Sequence, residues 1–257
     1  METVNIFTAF TLTLMAGLAM GVGSILSFVG KKNNKKFLSV SLGFASGVMI
    51  YVAFTEIFID AKESLIEVFG ENKGNIAAVL SFFFGMIFMV VAEKFCFGHT
   101  DEKDEESNKT MYRMGITTAL AIGIHNFPEG IAIFTSVLKN PTLGFSVAVA
   151  IALHNISAGI AISAPIYYAT GNRKKAFLFS LASGIVEPAG ALISYIIFKD
   201  FIDDKIFGLL LSVVAGIMGY IALDELLPLA QKNGNHHTAI KSMIAGMAVM
   251  AISTLII

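Results

Sequence analysis

Two stretches of this chain set the same nitrogen and oxygen donors at the same spacing. The first reads His125-Asn126-Phe127-Pro128-Glu129-Gly130-Ile131-Ala132-Ile133. The second, 29 positions on, reads His154-Asn155-Ile156-Ser157-Ala158-Gly159-Ile160-Ala161-Ile162, with six of nine positions identical. On a helix, His125 and Glu129 lie four residues apart and Asn126 and Glu129 three, so the three side chains converge on one face. An imidazole and a carboxylate one turn apart form a pincer for a divalent cation. Pro128 removes a backbone N–H and frees the carbonyl of Ile124, opening the helix where a cation can be received, and Pro165 does the same for Ala161. Glu187, directly before Pro188, and Glu56 add carboxylates from other segments. The donor set has no thiolate, which suits Zn, Fe(II), Mn and their neighbours and argues against Cu(I). The single cysteine, Cys96, excludes an intrachain disulfide and any multi-cysteine metal site. The plainer alternative is that these groups satisfy one another and hold helices together, as a His–Glu pair in lipid can.

The segments that carry them are long and apolar. The chain has 257 residues, 55% hydrophobic and 14% charged, with its charges clustered between apolar runs. That is the profile of an all-α polytopic membrane protein. A spanning helix needs about 20 apolar residues, and eight runs qualify, at roughly 5–29, 37–59, 75–98, 112–138, 142–168, 174–198, 205–230 and 238–257. Residues 1–257 therefore read as a single transmembrane domain. Loops 1–2, 3–4, 5–6 and 7–8 carry thirteen Lys and Arg against five in the other three. By the positive-inside rule the first set is cytoplasmic and both termini are extracytoplasmic. The acidic segment Asp101 to Glu106 reads as a solvated loop, with His99 beside it a weak metal-capture candidate. His236 and His237 read as surface residues, and Asp224-Glu225 as a solvated helix end or an exit ligand. No basic patch with interleaved aromatics points to nucleic acid.

Spans 4 and 5 join at a turn around Asn140-Pro141 and run in opposite directions, yet each carries its His-Asn copy 12 or 13 residues in, near the bilayer midplane. A second echo pairs Gly47-x-Met49-x-Tyr51-x-Ala53-x-x-Glu56 in span 2 with Gly216-x-Met218-x-Tyr220-x-Ala222-x-x-Glu225 in span 7. The two echoes imply two three-helix units of opposite orientation around a central pair, a 3+2+3 inverted repeat with a polar midplane site, as many secondary transporters have. A small-residue packing pattern is the alternative for the outer echo.

At these residues the sequence resembles the ZIP (Zrt-, Irt-like protein) family of divalent-metal transporters, particularly its short bacterial zinc-uptake members, over essentially the whole chain. The resemblance rests on His-Asn-Phe-Pro-Glu-Gly in span 4, His-Asn-Ile in span 5, Val186-Glu187-Pro188 in span 6, Glu56 in span 2 and Asp224-Glu225-Leu226 in span 7. It implies uptake of Zn2+, with Fe2+, Mn2+ and Cd2+ as further candidates, across a bacterial cytoplasmic membrane. It also implies one metal position from His125, Glu129, His154 and Glu56, and a second from Asn126, Glu129, Asn155 and Glu187. The metal is cargo rather than a cofactor, and the bilayer and the ion are the partners implied; a homodimer is left open. Where the family pattern has Pro-Glu in span 5, this chain has Ser157-Ala158, which removes a shared carboxylate and points to altered metal stoichiometry or activity. No Gly-rich loop ending in Lys-Ser or Lys-Thr occurs, so transport is expected to run without ATP. The rival reading is an intramembrane metal-dependent hydrolase, since His and Glu around Zn also activate water; no His-Glu-x-x-His supports it.

Overall fold

The computed structural model describes residues 2–29, 34–97, 107–139, 141–197 and 204–256. His99, the Asp101 to Glu106 segment, Lys31, Lys32, Asn140 and Lys199 lie outside them. The described residues form eight helical rods: α1 Glu2–Ser27, α2 Lys35–Phe69, α3 Glu71–Phe97, α4 Ser107–Lys139, α5 Pro141–Thr170, α6 Arg173–Ile197, α7 from Asp204 to Asn233, and α8 His236–Ile256. Seven are long and apolar enough to cross a membrane by composition alone. The exception is α4, whose apolar character is diluted by the His125-to-Glu129 cluster.

The rods begin and end where local chemistry dictates. Asn34 caps α2, its Oδ1 accepting from Phe37 N–H at 3.0 Å, and Asn172 caps α6 through Lys175 N–H at 2.9 Å. Gly70 and Gly171 take positive φ (79° and 71°) just past α2 and α5, donating back to Ile66 and Tyr167. Beyond the apolar run at roughly 37–59, α2 continues to Phe69, because Ala61 and Leu65 give its last turns a buried face.

Two rods are not uniform. Ala53–Ile57 in α2 and Ile221–Leu226 in α7 are single π-helical turns, and the two sit at matching places in the outer echo, with Glu56 in one and Glu225 in the other. Such wide turns disturb the regular hydrogen-bond ladder and favour functional sites. Across α7's wide turn, Ser46 of α2 donates to the carbonyl of Ala222 at 2.9 Å.

The rods sort into two groups by their closest packing. Helices α1, α4, α5 and α6 pack on one another, and α2, α3, α7 and α8 likewise. Glycine makes the approaches inside each group close, since a Cβ at these positions would collide with a neighbour's backbone. Gly17 meets Gly184 and Gly184 meets Gly17; Gly130 meets Glu187 and Gly159 meets Met20; Gly23 meets Ile156 and Gly190 meets Phe127. In the second group Gly47 meets Met243 and Gly216 meets Phe82. Every such close backbone approach among the described glycines stays within a group. Each group is therefore interlocked backbone to backbone, whereas the two groups meet through side chains.

Polarity is arranged for a bilayer. Phe83, Phe84 and Ile87 of α3 and Ile244 and Ile252 of α8 face outward, while His125, Asn126, Glu129, His154, Asn155 and Glu187 are at most 1% exposed. Apolar side chains on the outside and ionisable ones within suit a lipid solvent, where a polar group needs a protein partner or a ligand.

Candidate metal centre

His125 and Glu129 project from successive turns of α4 and meet His154 of α5, and each of the three offers a ligand atom within 4.8 Å of the others. One Glu129 oxygen lies 3.5 Å from His154 Nε2 and the other 4.0 Å from His125 Nε2. Those separations are long for hydrogen bonds. They approach the spacing of about 3.3 Å between ligand atoms on a tetrahedral ion with 2.0 Å bonds. The two imidazole rings lie 6.1 Å apart, centre to centre.

A second set of donors adjoins the first. Asn155 Nδ2 donates to Glu187 Oε2 at 2.7 Å and to the Ala16 carbonyl at 3.0 Å, while Asn126 Nδ2 donates to the Ser183 carbonyl at 2.9 Å and contacts Met20 Sδ at 3.1 Å. Both amides are thereby oriented with their NH2 groups anchored. Their oxygens, Glu187 Oε1, both Glu129 oxygens and the ring nitrogens of both histidines are buried without a hydrogen-bond partner among the described residues. A buried acceptor with no donor costs a few kcal/mol, and a cation among these acceptors removes that cost. The residues present thus fit a divalent ion as substrate.

Of the seven sequence-derived site residues, six come together here: His125, Asn126, Glu129, His154, Asn155 and Glu187. Glu56 does not join the three-residue cluster. It accepts a hydrogen bond from Thr254 of α8 and lines a cavity of about 130 Å³ that reaches Glu129 and His154. Asp60, one turn beyond Glu56, lines the same cavity. Asp60 is not among the sequence-derived candidates, although its spacing of four from Glu56 is a usable signal. Ala158, the position equivalent to Glu129 in the second copy, is fully buried in the main apolar core.

The comparisons with known proteins bear on this geometry. A family model described as "ZIP Zinc transporter" matches residues 92–254. A "Zinc transporter ZupT" of Chlorobium chlorochromatii (strain CaD3) is 52% identical over 265 residues, covering 99% of each chain. One of the same name from Clostridium perfringens (strain 13 / Type A) is 51% identical, covering 98% of this chain and 96% of that protein. The chain belongs to the ZIP zinc transporter family. As a ZIP protein it is a membrane transporter and not an enzyme, and nothing found speaks for the hydrolase reading. The family match spans α4 to α8, and with them every residue of the buried donor set.

Proposed function

We propose that this protein carries Zn2+ into the cytosol across the bacterial cytoplasmic membrane, using the buried donors of α4, α5 and α6 as its midplane site, with both termini outside. The observation that carries this reading is the set of orphaned acceptors around Glu129, which no donor among the described residues satisfies and a dication would. A hydrated ion reaches Glu129 and His154 through the cavity lined by Glu56 and Asp60, and exchanges water for His125, Glu129 and His154. It leaves on the far side once the α1/α4/α5/α6 group shifts against the other. Fe2+, Mn2+ and Cd2+ share the donor preference and are secondary substrates on this reading.

An inverted 3+2+3 repeat within one transmembrane domain supports such alternation. The reading rests on the two sequence echoes, the matched π turns and the paired glycine approaches. Gly17 and Gly184 approach each other, and Gly23 repeats at Gly190 what it does at its own position, against residues 29 apart, Ile156 and Phe127.

The test is metal influx into proteoliposomes that hold a metal-sensitive dye. Saturable Zn2+ influx is expected from the parent chain, and His125→Ala or Glu129→Ala should each lower it at least about a hundredfold. Flux that survives both substitutions would reject the site.

A further inference from the structure

The cavity that reaches His154 lies on one side of the metal centre, and the residues at equivalent repeat positions mark its counterpart on the other side. Partly exposed Glu56, Ile57, Val147, Ala150 and Ile151 line the open cavity. Shifting the α2 residues by the 169 positions of the outer echo, and the α5 residues back by the 29 of the His-Asn repeat, gives Glu225, Leu226, Thr118, Ala121 and Ile122. All five are at most 4% exposed. One half of the repeat is open and the other is shut.

The shut half carries, at these matching positions, a polar side-chain pair across the two helix groups that the open half lacks. Thr118 Oγ1 of α4 donates to Glu225 Oε2 of α7 at 2.8 Å, in a buried setting. On the open side Val147, which has no donor, stands where Thr118 stands, and Glu56 is bonded within its own group to Thr254. Thr118 is two turns from His125, so its bond lies about 10 Å along α4 from the metal centre. Glu225 sits on the wide turn of α7, where the backbone can yield without breaking a regular ladder.

We propose that Thr118 is a latch: by holding Glu225 it ties the two helix groups together and closes a cytoplasmic-side cavity lined by Ala121, Ile122 and Leu226. The proposal rests on the transport reading for its purpose, while the latch itself is a property of the protein without metal. Thr118 is a positioning residue that acts through Glu225. When the latch opens, the Glu225 carboxylate faces the departing dication.

Thiol accessibility in proteoliposomes tests this. In a Cys96→Ser background, Ala150→Cys reports the open cavity and Ala121→Cys its shut counterpart, each probed from either side with a membrane-impermeant methanethiosulfonate. With Thr118 intact, Ala150→Cys should react from one side and Ala121→Cys should resist. Adding Thr118→Val, which keeps the shape and removes the hydroxyl, should raise Ala121→Cys reactivity from the opposite side about tenfold. That is the population shift expected from losing one hydrogen bond to a charged group. Ala150→Cys reactivity should fall, and Thr118→Ser should keep both reporters at the parent level. The latch is overturned if Thr118→Val leaves Ala121→Cys resistant, if both reporters open together, or if Thr118→Ser acts as Thr118→Val does. Glu225→Gln, which weakens the same bond, supplies the reading should Thr118→Val not fold. Labelling needs no zinc, so absent flux in the parent would sink the transport reading and leave the latch result standing.

Discussion

Position 158 carries a methyl group where the first copy of the repeat carries the Glu129 carboxylate. Ala158 is fully buried and packed in the core that includes Met20, Ala161 and Ile162, so it contributes volume and no donor. The pocket therefore has one carboxylate from α4 and one from α6 for both sets of donors, and a single Zn2+ per chain is the expected occupancy. Ala158→Glu should raise bound zinc toward two per chain by metal analysis of the purified protein. It should also lower the melting temperature without metal, since a longer, ionisable side chain overpacks and desolvates, and zinc should recover part of the loss. Unchanged stoichiometry, uptake and ion preference would mean that position 158 does not shape the site. The His-Asn pairs, Glu129 and Glu187 are legible in the sequence because ionisable residues inside apolar runs have few structural reasons to be there. Thr118 was not legible, because a threonine in a membrane helix usually bonds its own backbone, as Thr135 does with Ile131. Only the fold puts Glu225 within reach of Thr118, 107 residues away in sequence.

At the scale of the helix, glycine separates packing that is interlocked from packing that is merely close. A Cβ on Gly47 would run into the Met243 carbonyl, whereas one on Gly123 meets only Val186 Cγ2, at 3.8 Å. Gly47→Ala should therefore destabilise by about 1–3 kcal/mol, the usual cost of overpacking, because backbone cannot move aside as a side chain can. Gly123→Ala should be neutral or stabilising by up to about 1 kcal/mol, as alanine favours the helix over glycine. Thermal melting in detergent with the two variants side by side checks the sign as well as the size. Equal effects would show that the backbone contact at Gly47 is relaxed in solution. Helix number and approximate limits are legible from apolar run length. The extension of α2 to Phe69 is less so, since it depends on Ala61 and Leu65 finding a neighbour. The π turns have no sequence signature of their own, and only the Glu56/Glu225 echo marks where they fall.

For the whole molecule, uptake as proposed takes the ion's own electrochemical gradient as the source of work. A dication moving to an inside-negative compartment gains about 4.6 kcal/mol per 100 mV, twice the value for one charge. At about 1.4 kcal/mol per tenfold, this corresponds to accumulation of roughly three powers of ten without ATP. The open cavity ends at the buried Glu129 and His154, so on the proposed reading the charge crosses the apolar thickness while held by the α4/α5/α6 donors rather than through a continuous water column. An inside-negative potassium diffusion potential, set with valinomycin in proteoliposomes, should therefore speed initial Zn2+ influx and raise its plateau, while an inside-positive one should suppress both. Influx that ignores the potential would mean that the dication does not move alone: an equal positive charge, such as two protons released from the site, would have to travel outward in each cycle. Influx that responds to potential yet never saturates with Zn2+ would point to an open pore rather than a carrier.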